Sequence, residues 1–426
     1  MLGGCASLTK TMAEKILGRA SGKDVSPGEI VEANIDLAMV HDLTGPHVVE
    51  VVEEIAGEVK VWDPEKVAII FDHHVPADKI RAAELQVIMR RVARKLGIKK
   101  FHDVGRGGIC HQVLVEEGYA RPGMLIVGAD SHTVTSGAVG AFATGIGASD
   151  MAMVWLTGKL WFMVPESIKV NVIGKLPKGV YAKDVILHII GKVTVDGATY
   201  KAVEFHGDTI RNMTIPDRMT LSNMSVEMGA KAGMVPADEV TVQYLRERGV
   251  EVKPFGPDPG AHYEDEWNFE VSKLEPQVAA PYSVDNVHPV SELEGTPIDQ
   301  AFIGSCTNGR YEDFVEAAKI LKGRKVAEGV RCIAIPASIK QYMKLLKDGI
   351  IDILAEAGCF VAHSTCGPCL GGHLGVLGPE EVAISSSNRN FRGRMGHPTS
   401  KVYLASPATV AASAVEGKIA DPRKYL

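Results

Sequence analysis

Short apolar runs alternate with longer amphipathic segments along this chain. The runs have the length of buried strands and lie at 67–71, 124–127, 168–173 and 332–335. Apolar residues recur at helical spacing over 83–96 and 311–322, and Gly97 and Gly323 follow these segments, where glycine commonly ends a helix. Strands that alternate with helices are typical of α/β proteins with largely parallel sheets, so the pattern predicts that fold class.

Composition and length narrow the possibilities further. The chain has 426 residues, of which 46% are hydrophobic and 23% charged, as in ordinary globular proteins. The length predicts two to three domains. The apolar run at 168–173 and the proline-rich stretch at 252–290 predict boundaries that divide the chain into 1–167, 168–289 and 290–426. No apolar run reaches the length of a membrane span. A formal net charge of −6 argues against a general nucleic-acid binder but leaves small anionic ligands open.

Several apolar runs end abruptly in reactive side chains. In open α/β sheets, ligands bind beyond the carboxyl ends of the strands, so these ends predict one shared active-site cleft. The reactive segments that follow the apolar runs are Asp72-His73-His74, Asp130-Ser131-His132, Ser305-Cys306, Ser364 to Cys369, and Ser386 to Asn390.

Seven unevenly spaced cysteines do not resemble a disulfide framework. Two close thiols, Cys366 and Cys369, and the distant Cys306 make three soft ligands, a set suited to an iron–sulfur cluster. Three thiolates on a four-iron cluster would leave one iron open as a Lewis acid. Two alternatives stay open: a redox dithiol at Cys366-Gly-Pro-Cys369, and a zinc site that adds Cys359 and His363.

The remaining cysteines are expected to be ordinary thiols. Only four residues precede Cys5, too few for the apolar core of a signal peptide, and we therefore expect a cytoplasmic protein in a reducing compartment. We also expect His74, His206 and His397 to have structural roles.

Six segments together resemble the aconitase superfamily, and most closely the large subunits of its two-subunit isopropylmalate dehydratases and homoaconitases. The resemblance covers essentially the whole chain, with the motifs in the same order. The segments are FDHHVP (71–76), GICHQV (108–113), GADSHT (128–133), FIGSCTNGR (302–310), CGPCLG (366–371) and SNRNFRGR (387–394).

This resemblance implies three α/β/α domains packed around a 4Fe–4S cluster, with Cys306, Cys366 and Cys369 as its ligands. It also implies that the mobile fourth domain of aconitase is a separate small subunit here, which carries the proton-abstracting serine. A heterodimer or heterotetramer is then expected, with no nucleic acid or membrane partner.

Other positions take their expected roles from the same resemblance. Ser131, Arg389 and Arg394 match substrate contacts, and Asn388 matches an asparagine that approaches the cluster. Pro46 departs from the pattern, because aconitase itself has a substrate-contacting glutamine there. The catalytic positions form three predicted acid–imidazole pairs, namely Asp72 with His73, His111 with Glu227, and Asp130 with His132.

The resemblance implies a hydro-lyase that isomerises a hydroxy acid through an unsaturated intermediate. Interconversion of 3- and 2-isopropylmalate, as in leucine biosynthesis, is favoured, with homoaconitase or a dialkylmalate hydratase as alternatives. Protonation by imidazoles contributes about 10²–10⁴-fold to such a reaction, so metal assistance and positioning must supply the rest. An iron-sensing RNA binder is a further alternative, against which the net negative charge and the expected absence of the fourth domain argue.

Overall fold

In the computed structural model, which describes residues 9–426, most strands belong to three sheets flanked by helices. The strands are β1 (Ile30–Asn34), β2 (Leu37–His41), β3 (Val67–Ile70), β4 (Lys100–His102), β5 (Leu125–Gly128), β6 (Phe142–Gly145), β7 (Lys159–Met163), β8 (Ser167–Ile173), β9 (Ala202–His206), β10 (Ala232–Met234), β11 (Asp265–Glu270), β12 (Gln277–Ala279), β13 (Val287–Pro289), β14 (Gln300–Ile303), β15 (Arg331–Ala334), β16 (Phe360–Val361), β17 (Val382–Ser385) and β18 (Lys401–Leu404).

The α-helices connect these strands and cover the sheets. They are α1 (Met12–Ser21), α2 (Gly45–Ala56), α3 (Ile80–Leu96), α4 (Cys110–Glu116), α5 (Ala148–Thr157), α6 (Ala182–Val193), α7 (Asp208–Arg211), α8 (Ile215–Met224), α9 (Glu239–Arg246), α10 (Val290–Leu293), α11 (Tyr311–Leu321), α12 (Ile339–Lys347), α13 (Ile350–Ala357) and α14 (Pro407–Glu416). Short 3₁₀ helices lie at Pro64–Lys66, Ser131–Val139, Ser225–Met228, Gly367–Leu370 and Pro422–Tyr425.

The first sheet is buried on both faces. Its five strands are parallel in the order β4-β3-β2-β5-β6, while β1 and β7 form a separate antiparallel ribbon. Successive side chains of a strand point to opposite faces. Accordingly, Ile69 enters one hydrophobic core and Ile70 the other. This explains why residues 67–71 form a continuous apolar run, as is typical of a parallel sheet covered on both faces.

The second and third sheets complete the predicted α/β architecture. The second is fully parallel, in the order β10-β9-β8-β11. The third has seven strands in the order β13-β12-β18-β17-β14-β15-β16, with antiparallel pairing confined to β12 and its neighbours. The largely parallel fold is therefore confirmed. The domain boundaries stay predictions, although β12 and β13 already join the third sheet before residue 290.

The predicted helix ends follow from local backbone chemistry. Gly97 takes a left-handed conformation (φ 66°) directly after α3, where the absence of a Cβ removes the steric penalty. Gly323 likewise has a positive φ two residues after α11. The helix predicted at 83–96 begins slightly earlier, at Ile80. No helix within residues 9–426 combines the length and apolar character needed to cross a membrane.

The first and third units touch directly beside the reactive segments. Gly108 forms an antiparallel bridge with Ser338, and the Ile109 N–H donates to the Ala337 carbonyl at 2.8 Å. A Cβ at Gly108 would lie 2.3 Å from that same carbonyl oxygen, so this close approach requires glycine. The contact holds the amino end of α4 against the segment that follows β15.

A second close approach gives a test of this packing. A Cβ at Gly145 would lie 2.6 Å from the Asp130 carbonyl oxygen and 2.7 Å from the Ser131 Cα. We therefore expect Gly145→Ala to displace that turn and lower the free energy of unfolding by about 1–3 kcal/mol in urea titration. Gly147→Ala is the matched control, because no atom lies within 4 Å of its Cβ and its φ of −70° suits alanine. Equal losses from both substitutions would contradict this account.

Candidate functional site

Three thiols reach one buried region from two loops of the third sheet. Cys306 lies just beyond β14, and Cys366 and Cys369 lie beyond β16, around the Gly367–Leu370 turn. The two strands flank β15 in parallel, so their carboxyl ends face the same edge. Cys306 and Cys369 are 7% and 6% exposed. Cys366 packs against the small cluster of Ile109, Cys306 and Ala337, and its N–H donates to the Asp72 carbonyl at 2.8 Å, which connects the thiols to the first sheet.

Two amides hold the sulfurs. Asn223 Nδ2 lies 3.1 Å from Cys306 Sγ, and Asn388 Nδ2 lies 3.5 Å from the same sulfur. Asn388 Oδ1 is in turn 3.8 Å from Cys369 Sγ, so one side chain contacts both thiols. Hydrogen bonds to sulfur are among the features that tune iron–sulfur centres. Burial and the neighbouring Cys369 raise the pKa of Cys306 to about 12, so a stable thiolate here needs a cationic partner.

The spacing of the thiols distinguishes between kinds of metal centre. Within residues 9–426, the three sulfurs do not all approach within 4.8 Å of one another, as ligands of a single ion would. His363 is exposed and lies beside Tyr342, and Cys359 contacts a different cysteine, so neither completes a zinc site. Cys366 does not begin an α-helix, because only a short 3₁₀ turn follows it, unlike the expected dithiol arrangement. The donor set fits a polynuclear centre.

The other described cysteines lie outside this group. Cys332 and Cys359 are buried in the core of the third unit with their sulfurs 2.7 Å apart, a pairing that the sequence did not indicate. Cys110 begins α4, and its N–H donates to Asp72 Oδ2 at 2.7 Å, so it contributes its backbone to the site. Cys5 lies outside the described residues.

The first acid–imidazole pair stands where β3 ends. Asp72 is fully buried, and its Oδ1 lies 2.7 Å from His73 Nδ1. Asp42 supports the turn, because its carboxylate accepts the N–H groups of Asp72, His73 and His74 at 2.8–3.0 Å. Burial disfavours both charges, but the attraction between the partners prevails. It lowers the pKa of Asp72 to about 2 and raises that of His73 to about 9.

The other two pairs exist, but with exchanged partners. His111 Nε2 lies 2.7 Å from Asp130 Oδ1, and His132 Nε2 lies 2.7 Å from Glu227 Oε1. The predicted pairing of His111 with Glu227 is therefore wrong; Asp130 pairs most closely with His111, although His132 Nδ1 also lies 3.8 Å from Asp130 Oδ1. Asp130 caps the turn through the His132 N–H (2.8 Å), and Nε2 of the His132 ring reaches the 3₁₀ helix that carries Glu227.

Arg389 joins this network to the thiol loop. Its Nε lies 2.8 and 3.0 Å from the two carboxylate oxygens of Glu227. Burial opposes ionisation of Glu227, but His132 and Arg389 outweigh it and lower its pKa. Burial also lowers the pKa of His132, against the attraction of Glu227. Glu227 thereby fixes the orientation of the His132 imidazole, and the lowered pKa favours its neutral form.

His41 is a site residue that the sequence reasoning missed. It ends β2, its ring stacks on that of His73 at a centroid distance of 3.8 Å, and its Nε2 lies 3.7 Å from Asp130 Oδ2. Burial and the charge of His73 lower the pKa of His41 to about 4, so it stays neutral beside the His73 cation. The signal was present, because Leu37 to Val40 is another apolar run that ends in His41-Asp42.

Two of the predicted substrate-contacting residues are accessible to solvent. Ser131 and Arg394 are partly exposed, and Arg394 Nη2 lies 3.9 Å from Cys369 Sγ. Among the described residues, the buried Arg394 Nε and His111 Nδ1 have no hydrogen-bond partner. Buried polar atoms are normally satisfied, so both atoms are available to a polar ligand.

The arrangement is that of an α/β protein whose reactive groups gather beyond the carboxyl ends of parallel strands. The chain belongs to the aconitase family. The model of that family (aconitate hydratase) matches residues 14–297 and 291–417.

Individual relatives cover nearly the whole chain. The 3-isopropylmalate dehydratase large subunit 1 of Methanopyrus kandleri is 60% identical over 418 residues, which is 98% of this chain and 100% of that protein. A probable methanogen homoaconitase large subunit of Methanothermobacter thermautotrophicus is 56% identical over 418 residues, or 97% of each chain. Aconitase X of Thermococcus kodakaraensis, a solved holo-form structure, has a TM-score of 0.50 at 14% identity and 88% coverage of both chains, which supports the fold.

The charge of His73 can be tested by titration. Asp72→Asn removes the negative charge that holds the His73 proton. We expect the pKa of His73 to fall from about 9 to its ordinary value near 6.5 or lower, measured by NMR on histidine-labelled protein purified without iron. His47 on α2, an exposed residue whose Nδ1 lies 3.2 Å from Glu50 Oε2, provides an internal control resonance.

The pH dependence of the free energy of unfolding gives a second test of the Asp72–His73 pair. Because folding raises the pKa of His73, its stabilisation is fully present below pH 6.5 and is lost as the pH rises through about 9. That loss should be much smaller in the Asp72→Asn protein. An unchanged His73 titration in this variant would show that another group holds the proton.

Proposed function

We propose that this chain is the large subunit of a 4Fe–4S hydro-lyase that interconverts 3-isopropylmalate and 2-isopropylmalate by dehydration and rehydration. The main support for the proposal is that one loop contacts both the thiols and the acid–imidazole network. Asn388 in this loop contacts the sulfurs of Cys306 and Cys369, and the adjacent Arg389 pairs with Glu227. The 60% identical dehydratase large subunit supports this choice of substrate.

Cys306, Cys366 and Cys369 would hold the cluster. When bound, such a cluster supplies an iron without a protein ligand, a Lewis acid that eases the departure of a hydroxyl group. The three thiols and the two amides that contact Cys306 form a donor set suited to this centre. All the described cysteines are free, as a cluster site in a reducing cytoplasm requires.

His73 is the proposed proton donor to the leaving hydroxyl group. It is protonated at neutral pH because Asp72 holds its charge, and general acids contribute about 10²–10⁴-fold to such reactions. His111 and His132 complete the set of imidazoles, each oriented by a carboxylate at 2.7 Å. Asp130 lies between them, with His41 and His73 each 3.7 Å from its Oδ2. These contacts fix the tautomer and orientation of each ring.

Two arginines are the proposed carboxylate contacts. Arg394 has a buried Nε without a partner within the described chain, and a guanidinium binds a carboxylate through paired hydrogen bonds. Arg389 pairs with Glu227 through its Nε, and within residues 9–426 its guanidinium group forms no ion pair with any other residue. Pro46 lies buried in the first turn of α2 and offers no side-chain hydrogen bond, which disfavours citrate.

The reaction also requires a group that removes the proton from carbon. We assign this role to a serine of a separate small subunit, in keeping with the large-subunit relatives. Homoaconitase is the second candidate function, favoured by the 56% identical relative with that name. The two activities differ in the side chain of the acid, which the small subunit would help to enclose.

The cluster assignment can be tested without any turnover. Anaerobically purified or reconstituted protein should contain iron and acid-labile sulfide, and Cys306→Ala should abolish their retention because one of three ligands is lost. Cys332→Ala is the matched control, since this thiol is equally buried but lies in a separate core. Zinc without sulfide in the purified protein, or equal losses from both substitutions, would overturn the assignment.

The choice of substrate needs the assembled enzyme. The reconstituted chain is mixed with its small subunit, and the absorbance of the unsaturated intermediate is followed with 3-isopropylmalate and with homocitrate. We expect turnover with isopropylmalate and a lower kcat/KM with homocitrate. The reverse order would favour the homoaconitase function, and no turnover with a loaded cluster would reject both.

Arg394→Met should weaken binding of the substrate carboxylate. A hydrogen bond to a charged group contributes about 1.5–3 kcal/mol, which corresponds to a loss of roughly tenfold to 150-fold in kcat/KM. Arg392→Met is the control, because Arg392 is exposed and stacks on Tyr282 outside the site. Similar kcat/KM values for the two variants would show that Arg394 does not bind the substrate carboxylate.

A further inference from the structure

Lys183 is a fully buried cation that the catalytic scheme does not use. It lies in the first turn of α6, in the second unit, and is 0% exposed. Its Nζ donates to the Ser386 carbonyl at 2.9 Å and to the Ser387 carbonyl. These two residues directly precede Asn388 and Arg389, so Lys183 anchors the loop that joins the thiols to the acid–imidazole network.

The ammonium group has no close negative partner. Buried charges in proteins are normally paired, because desolvation strongly disfavours an isolated ion. Within residues 9–426, no carboxylate oxygen lies within 4.0 Å of Lys183 Nζ. Burial lowers the pKa of Lys183 to about 7, against the attraction of nearby anionic groups.

Two buried carboxylates that attract the Lys183 ammonium group, those of Asp313 and Asp184, are engaged by other donors. Asp313 accepts the Arg310 N–H and the Asn308 amide, both at 2.9 Å. Asp184 accepts two backbone N–H groups at 2.8 Å, from residues 181 and 277. The loop that Lys183 holds leads directly to Asn388, whose side chain contacts the sulfurs of Cys306 and Cys369.

We propose that Lys183 is a positioning residue whose charge balances the anionic iron–sulfur centre, while its two hydrogen bonds hold the Asn388 loop against the sulfurs. This inference rests on the proposed function, because it requires the cluster at the three cysteines. Three thiolates and the sulfides of a cluster carry net negative charge, and the low dielectric of the interior extends the reach of a single cation.

The charge has a measurable consequence. A nearby positive charge stabilises the reduced, more negative state of a redox centre. Loss of that charge should therefore shift the midpoint potential of the cluster to a more negative value. The same change should make the loaded protein easier to oxidise and speed its loss of iron.

The experiment uses the full-length chain, reconstituted anaerobically with iron and sulfide, as wild-type protein and as Lys183→Met, Lys183→Gln and Lys183→Arg. Iron and sulfide content is measured first, then the midpoint potential by spectroelectrochemical titration, and finally the decay of cluster absorbance after ferricyanide addition. Lys192→Met is the matched control, because Lys192 lies in the same helix but is exposed.

We expect the Met and Gln variants to show a more negative potential and severalfold faster bleaching. The Arg variant, which keeps the charge, and Lys192→Met should match the wild type. Equal potentials in wild-type protein and in the neutral variants would overturn the inference. A shifted potential in Lys183→Arg would also overturn it, even if the neutral variants fail to fold, because packing rather than charge would then be responsible.

The same measurements separate this inference from the proposed function. A wild-type chain that retains no iron and sulfide would refute the cluster, and with it the premise for Lys183. A cluster present in every variant with one common potential would refute only the role of Lys183.

Discussion

The site depends on the pairing of buried charges across separate strand ends. Asp72, Asp130 and Glu227 each contact an imidazole at 2.7 Å; Asp72 follows β3, Asp130 follows β5, and Glu227 lies in the 3₁₀ helix after α8. Burial disfavours the ionised form of each carboxylate, but the hydrogen-bonded imidazoles, and Arg389 beside Glu227, hold the pKa of all three below the ordinary range. Because the carboxyl ends of parallel strands meet at one edge, the first sheet brings Asp72 and Asp130 together, and Glu227 reaches them from the second unit.

A single loop links the thiols to the acid–base groups. The loop after β17 carries Asn388, which contacts Cys306 and Cys369, and Arg389, which completes the Glu227–His132 pair. A displacement of this loop would therefore disturb both the sulfur ligands and one imidazole. Lys183 reaches it from α6, and Asn223 reaches Cys306 from α8, so the second unit supports the site from outside the third sheet.

The sequence predicted the secondary-structure elements and the reactive side chains better than it predicted which side chains pair with each other. Apolar runs located β3, β5, β8 and β15, because strands buried on both faces leave a continuous hydrophobic signature. The exchange of partners between His111 and His132 could not be read from spacing, since it depends on the turn that Asp130 caps. The Cys332–Cys359 contact was missed for a related reason: it arises from the parallel register of β15 and β16.

The central claim is that three cysteine sulfurs hold a four-iron cluster and leave one iron available to the substrate. Mössbauer spectroscopy of protein reconstituted with ⁵⁷Fe, recorded with and without 3-isopropylmalate in the presence of the small subunit, tests it most directly. The account predicts one iron subsite out of four whose isomer shift and quadrupole splitting change on addition of the acid. Four subsites that do not respond to the acid, or the absence of a cluster spectrum, would contradict it.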